Sequence, residues 1–324
     1  TSLRHIYCFR SCHRWQQWLF WISWIKYHRD PAFRTDRKIR TSSVPLTTLG
    51  KKSYEPPTVA SYSKVWPSSL PACDFIWLVS VGAHLIFELI EDIAKMVLII
   101  ACLYFVLGAY VRLKQPAWSE PLEKRRLTML LVLILAVSAG KVSEDVLGGE
   151  SGPIDRTILL FIHSHISSTL IGFFETVAVT GSSKVLFPLS AVAIIALLWA
   201  RHRIEALLVA ASVISSTIVI YVVKTVVGRV RPELWDTQWY WGSSFPSGHT
   251  LAVAAFATAI ALCVSRIMPK ARKFALAIAI LWIFLVGLSR LVLGVHWPTD
   301  VLVAACIGAF LPLAINIALE LRHT

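Results

Sequence analysis

The chain has 324 residues, of which 56% are hydrophobic and only 16% are charged. Soluble domains carry about a quarter charged residues, so this composition excludes an ordinary soluble enzyme and indicates an integral membrane protein. Of the formal net charge of +13, residues 1–66 carry +9, yet they contain no recognisable nucleic-acid-binding module. We therefore expect a basic tail near a membrane surface and no nucleic-acid partner.

The first domain, residues 1–73, is predicted to be a poorly ordered, basic and Trp-rich segment. Its apolar stretch at residues 19–25 is too short to span a bilayer. Tryptophan recurs at every third residue from Trp15 to Trp24, which leaves an interfacial helix as the alternative to an unstructured leader.

The apolar runs after this segment approach the ~20 residues needed to cross a bilayer core. They are too long for the strands of a membrane barrel, so the sequence predicts an all-α, polytopic membrane helical bundle. Region 74–126 is predicted to add one helix or a hairpin and a cytoplasmic linker, and 127–324 forms the core. Residues 155–180 are semi-polar and are expected to lie at the interface as amphipathic helices. The predicted core spans are 127–142, 185–200, 204–223, 250–267, 274–288 and 300–319.

Basic residues cluster in one set of connecting loops, which the positive-inside rule assigns to the cytoplasm. They are Arg112, Lys114, Lys124, Arg125, Arg126, Arg201, Arg203, Arg266, Lys270, Arg272, Lys273 and Arg322. The opposite span ends carry three other clusters of polar residues. These clusters are therefore predicted to face away from the cytoplasm.

The first of these clusters is Lys224 with Arg231, which precedes Pro232. The third cluster contributes Arg290 at the end of another span. Each cation taken singly is more often a membrane anchor than a ligand. Three cations on one face suit a phosphate dianion, since arginine offers a planar donor fork.

The second cluster, Pro246-Ser247-Gly248-His249, opens the span that begins at residue 250. A Ser-Gly pair at a helix N-terminus offers backbone N–H groups and a positive dipole end to an anion. A four-residue match alone would indicate only a serine N-cap and a loop.

His296 lies four residues before Asp300, with Pro298 suited to the first turn of the last span. Residues at i and i+4 can meet across one helical turn. The carboxylate could then hold one imidazole nitrogen and leave the other free and basic.

The combined pattern, Lys-x6-Arg-Pro, Pro-Ser-Gly-His and Ser-Arg-x5-His-x3-Asp, resembles the signature of the type 2 phosphatidic acid phosphatase superfamily. Every fixed position of that signature is present between residues 224 and 300, and the six spans are similar to the family's phosphatase core. Residues 1–73 have no part in the resemblance.

The resemblance implies a role for each matching residue. His296 would be the nucleophile that forms a phosphohistidine, Asp300 would orient it, and His249 would be the general acid. Phosphate would be bound by Lys224, Arg231, Ser247, Gly248 and Arg290. The scheme needs no metal or cofactor, because the side-chain cations neutralise the phosphoryl charge.

The function expected from this resemblance is hydrolysis of a phosphomonoester or pyrophosphate on a membrane lipid. Undecaprenyl pyrophosphate is the favoured substrate, with phosphatidic acid and phosphatidylglycerol phosphate as alternatives. The expected location is a bacterial plasma membrane, with membrane lipids as the surroundings and no obligatory protein partner inferred. The two competing hypotheses are a vanadium-haloperoxidase-like oxidoreductase and a non-catalytic lipid-binding or transport relative.

Other residues lie outside this signature. Arg229 lies inside the first motif but outside its fixed positions. The acidic residues Glu144, Asp145, Glu150 and Asp155 are interpreted as a solvated loop rather than a cation site. Aromatic residues between the first two clusters, Trp235, Trp239, Tyr240 and Trp241, are predicted to anchor the chain at the interface. The six cysteines show no convincing metal-ligand spacing.

Overall fold

The structure is a computed structural model that describes residues 72–115, 118–232 and 242–322. Almost all of the predicted segment 1–73, and the four aromatic residues of the loop between the first two clusters, lie outside these residues. The described part of the chain is helical and contains no strand, which confirms the predicted all-α class.

Most of the helices follow one another through short connections, and the longest connection lies between Val227 and Gly248. In chain order they are α1 Ala72–Lys114, α2 Ser119–Lys124, α3 Arg126–Gly148, α4 Gly152–His165, α5 Ile171–Thr180, α6 Ser183–Trp199, α7 Arg203–Val227, α8 Gly248–Ile267, α9 Arg272–Val292 and α10 Pro298–Leu321.

Within the described residues, six helical segments are long and apolar enough to cross a membrane. They are Ile90–Lys114, Arg126–Gly148, Arg203–Val227, Gly248–Ile267, Pro269–Val292 and Pro298–Leu321. Helices α5 and α6 meet this test only together, across a bend of 43°. Helix α5 is therefore the first half of a broken span or one arm of a re-entrant loop. Region 74–114 forms one continuous helix.

Helix α8 lies at the centre of the core and packs against α6, α7, α9 and α10. It approaches α10 closely at Gly308, where an added Cβ would lie 2.5 Å from both the Ala254 Cβ and the Leu251 carbonyl oxygen. Small residues allow membrane helices to pack this closely. Glycine at 308 therefore sets the spacing between α8 and α10, and α10 carries Asp300.

The two ends of the bundle differ in their polar contacts. At one end Arg266 of α8 pairs with Glu320 of α10 and lies 3.9 Å from Glu205 of α7. Arg125 also reaches Glu320, at 2.9 Å. The end of α7, the start of α8, the end of α9 and the start of α10 meet at the other end, where the three sequence clusters lie.

Candidate active site

The first cluster begins in the last turn of α7 and continues into the following loop. Gly228, with a φ of 62°, ends the helix and turns the chain. Lys224 donates a hydrogen bond to the carbonyl oxygen of Ser243. Arg231 donates to the carbonyl oxygen of Val295 at 2.8 Å, so the loop is fixed against the third cluster.

The second cluster forms the N-terminus of α8. Gly248 starts the helix, and an added Cβ there would lie 3.7 Å from the Cε atom of Lys224. Ser247 is fully buried, but its hydroxyl group pairs with that of Thr250 at 3.0 Å and does not line the cavity described below. Its backbone N–H donates to the carbonyl oxygen of Asp300, at 3.2 Å.

The third cluster joins α9 to α10. Arg290 lies in the last turn of α9 and is only 1% exposed. Asp300 lies in the first turn of α10, and its Oδ2 accepts a hydrogen bond from the backbone N–H of Trp297 at 2.9 Å. This contact caps the helix and fixes the carboxylate beside the preceding loop.

His296 lies in that loop, between two partners of opposite charge. Its Nδ1 is 3.6 Å from the Oδ2 of Asp300, within ion-pair distance but longer than an ordinary hydrogen bond. Its Nε2 is 3.4 Å from the Nη1 of Arg231. Catalytic contacts of this kind are often long before substrate binds.

Burial controls the protonation of His296. Loss of solvent, the largest cause, acts together with the nearby cations Arg290 and Arg231, and the net effect lowers the pKa of the imidazole from 6.5 to about 4. Asp300 opposes this shift because it favours the charged form. The imidazole is consequently neutral at pH 7, as a nucleophile must be.

A cavity of about 430 Å³ joins the three clusters. Its polar end is lined by Lys224, Gly248, Arg231, His249, Arg290 and His296. Asp300 lies behind His296 and does not line the cavity. Six of the eight residues predicted for the site therefore share one cavity, whereas Ser247 and Asp300 support it from behind.

The rest of the cavity is mainly apolar and lies between α6, α7 and α8. Its walls include Leu186, Phe187, Val213, Ile220, Ala252 and Phe256. Phe256 lies seven residues after His249 on α8, and a helix rises 1.5 Å per residue, so the cavity extends about 10 Å below the imidazole. A charged headgroup and an apolar chain would each have a matching environment.

Two residues near the site were not assigned by the sequence. Asp155 was expected in a solvated loop, but it is completely buried in α4, so that interpretation is wrong for this residue. Arg229 contacts both Asp155 and Asp300. In the described residues, no group of three or more His, Cys, Asp or Glu side chains is arranged to hold a metal ion.

The chain is similar to a known protein family and to several of its members. Residues 205–322 match the model of the PAP2 superfamily. Phosphatidylglycerophosphatase B of Escherichia coli strain K12 is 44% identical over 67 residues, which are 21% of this chain and 25% of that protein. The undecaprenyl-diphosphatase of Sulfolobus acidocaldarius is 27% identical over 191 residues, covering 56% of this chain and 85% of that protein.

A solved structure is also similar to this fold. It is the transmembrane PAP2-type phosphatidylglycerolphosphate phosphatase from Bacillus subtilis, with a TM-score of 0.51 and 26% sequence identity. The similarity covers 58% of this chain and 94% of that chain. By contrast, the chain spans only a quarter of the length of the E. coli relative.

Proposed function

Because the chain belongs to the PAP2 superfamily through residues 205–322, we propose that it hydrolyses a phosphate or pyrophosphate group on a membrane lipid. The observation that carries the proposal is the convergence of three cations and two imidazoles in one cavity, at one end of a bundle of membrane-spanning length. These cations come from two chain segments that are distant in the sequence, the end of α7 with its following loop and the end of α9, and a phosphoryl group would neutralise them.

In the proposed reaction, the Nε2 atom of His296 attacks phosphorus and displaces the leaving oxygen. His249 donates a proton to that oxygen, which leaves as the lipid alcohol or lipid monophosphate. The resulting neutral His249 then takes a proton from water, and the hydroxide cleaves the phosphohistidine bond. Inorganic phosphate is released and both imidazoles return to their starting states.

In this reaction the negative charge of the phosphoryl group is stabilised by Lys224, Arg231 and Arg290. Their side chains line the same cavity as His296, so a phosphoryl group bound there would have all three cations nearby. In the transition state, negative charge spreads over the phosphoryl oxygens, and donors that are already in position stabilise it without reorganisation. This scheme supplies positive charge without a metal ion.

The apolar half of the cavity supports a lipid substrate. It lies on the membrane side of the imidazoles and would receive the part of the chain next to the headgroup. Among lipids we rank undecaprenyl pyrophosphate first; similarity to an undecaprenyl-diphosphatase supports this substrate, and similarity to phosphatidylglycerophosphate phosphatases supports phosphatidylglycerol phosphate as the next. Phosphatidic acid follows.

The test is release of inorganic phosphate by the purified wild-type protein from these three lipids. Release from at least one lipid is expected, with the fastest rate on undecaprenyl pyrophosphate. A faster rate on either phospholipid would reverse the substrate order but leave the activity standing. No release from any of the three would contradict the proposed function.

We further propose that the site faces away from the cytoplasm, from the distribution of basic loops. Glu150 is exposed at the active-site end and Lys270 is exposed at the other end. In a cysteine-free background in bacterial cells, a membrane-impermeant maleimide should label Glu150→Cys in intact cells and Lys270→Cys only after permeabilisation. Labelling of Lys270→Cys in intact cells, and of Glu150→Cys only after permeabilisation, would show that the site faces the cytoplasm.

A further inference from the structure

A buried guanidinium group connects the His296–Asp300 pair to a second carboxylate. The Nη1 of Arg229 donates to the Oδ1 of Asp300, and its Nη2 donates to the Oδ2 of Asp155 at 2.7 Å. Both carboxylates are fully buried, and the Arg229 side chain is only 16% exposed. One cation therefore lies between two anions that have no access to solvent.

Asp155 is also fixed to the first turn of α10. Its Oδ1 accepts a hydrogen bond from the backbone N–H of Thr299 at 2.9 Å, and its Oδ2 accepts one from the Thr299 hydroxyl at 2.7 Å. The same hydroxyl oxygen accepts a bond from the Nη1 of Arg229 at 2.9 Å. Helix α4 is thus attached to the start of the helix that carries Asp300.

The backbone of Arg229 is held as well as its side chain. Its N–H donates to the hydroxyl oxygen of Ser243 at 2.9 Å, and its carbonyl oxygen accepts from the N–H of Ser244 at 2.8 Å. Its guanidinium carbon lies 5.7 Å from the centre of the Trp297 ring, a cation–π distance. Arg229 is consequently fixed beside Asp300 and does not line the cavity.

This arrangement divides the two oxygens of Asp300 between different tasks. Oδ1 is occupied by Arg229, whereas Oδ2 accepts the N–H of Trp297 and faces the Nδ1 of His296. A carboxylate held at both oxygens cannot rotate. The orientation of the His296 ring therefore depends on Arg229, which acts on the ring through Asp300.

We propose that Arg229 and Asp155 are positioning residues of the reaction: Arg229 holds the carboxylate that orients His296, and Asp155 holds Arg229. This role rests on the proposed hydrolysis through His296. Arg229 is not a phosphate ligand, because it does not line the cavity and its two terminal nitrogens are engaged by carboxylates. Lysine can replace it only in part, since a single ammonium group keeps the charge but lacks the fork that spans both anions.

The variants that test this role are Arg229→Gln, Asp155→Asn, the double variant, and Arg229→Lys. Arg156→Gln is the matched control, because Arg156 is the exposed neighbour of Asp155 on α4. Each variant is purified as a monodisperse full-length protein and assayed on the lipid that the wild type hydrolyses fastest. The measured quantities are kcat per folded protein, KM, the inhibition constant of inorganic phosphate, and Tm.

Arg229→Gln should lower kcat about 10- to 100-fold, the range seen when metal-binding imidazoles lose an outer-shell partner that orients them. KM and the phosphate inhibition constant should not change, because the three cavity cations remain. Asp155→Asn should lower kcat less, and the double variant should be no slower than Arg229→Gln, since both residues act through one chain of contacts. Arg229→Lys should recover only part of the loss, and Arg156→Gln should match the wild type.

Wild-type kcat in folded Arg229→Gln would overturn the proposal and leave the hydrolase function intact. Weaker phosphate inhibition in Arg229→Gln would also overturn it, because the residue would then be a phosphate ligand. Independent, additive losses from Arg229→Gln and Asp155→Asn would exclude a single chain of contacts. A wild-type protein that hydrolyses no lipid would remove the proposed function and this role together.

Discussion

The Nε2 atom of His296 lies 3.4 Å from the Nη1 atom of Arg231. A guanidinium group can only donate hydrogen bonds, so this contact fits an Nε2 atom that carries a free lone pair. The ring proton is then on Nδ1, which faces Asp300. His296 therefore presents its basic nitrogen to the side of the cavity where the cations would hold a phosphoryl group.

The low pKa of His296 predicts an unusual pH dependence. The neutral form reacts, and it is the major form above a pKa of about 4. Protonation removes it, so kcat/KM should fall as the pH drops through about 4 and should show no loss through His296 at pH 6.5. The measurement is kcat/KM from initial rates across this pH range. Recovery of activity on return to pH 7 is the control for unfolding. A half-maximal loss near 6.5 would contradict the buried, neutral imidazole.

Replacing Arg231 by lysine should weaken phosphate binding. Lysine keeps the charge but loses the fork that contacts Val295 and the Nε2 of His296. Charged hydrogen bonds contribute about 1.5–3 kcal/mol, so the inhibition constant of inorganic phosphate should rise roughly 10- to 100-fold. Arg203→Lys, at an exposed position at the other end of α7, is the control. Equal inhibition constants of inorganic phosphate for Arg231→Lys and Arg203→Lys would show that Arg231 does not bind phosphate.

Chelation of divalent metals should leave hydrolysis largely intact. Lys224, Arg231 and Arg290 supply the positive charge that a metal ion would otherwise provide. The measurement is phosphate release after dialysis against EDTA, with and without added Mg²⁺. Full loss on chelation and recovery with Mg²⁺ would show that these side chains are insufficient.

Gly308→Ala should destabilise the bundle, because the new methyl group would meet the Ala254 Cβ and a backbone oxygen at 2.5 Å. Overpacking of this kind costs about 1–3 kcal/mol. Gly172→Ala is the matched control, since an added Cβ there meets no atom within 4 Å. Thermal unfolding in detergent should give a lower Tm for Gly308→Ala alone. Equal Tm values would mean that α8 and α10 are not in close contact there.

The sequence predicted five of the six core spans and the meeting of the three clusters for a physical reason. The predicted span 185–200 meets the length and composition test only together with α5, which was expected at the interface. Successive apolar runs of bilayer length cross in opposite directions, so the two ends of one connection, such as Lys224 and His249, lie at the same end of the bundle. Every second connection also lies at that end, which brings in the connection between α9 and α10. Asp155 could not be predicted in this way. Its burial depends on the packing of α4 against the start of α10, and a single acidic residue in a semi-polar segment carries no periodic signal of that contact.

Other differences also arise from tertiary contacts. Ser247 occupies the expected helix start, yet its hydroxyl turns to Thr250 because the residue is enclosed between α8 and α10. Arg229 and Arg231 are both arginines of the first cluster, so the sequence does not distinguish their roles. Their side chains point in different directions and therefore make different contacts. One donates to buried carboxylates, and the other reaches the cavity.

The most direct test of the central claim is phosphate release by His296→Ala, compared with His165→Ala at an exposed position on α4. Removing a catalytic nucleophile costs on the order of 10⁶ in kcat. We predict that His296→Ala releases no phosphate above background while its Tm stays close to that of the wild type, and that His165→Ala is fully active. Turnover by His296→Ala at the wild-type rate would contradict a reaction at this imidazole.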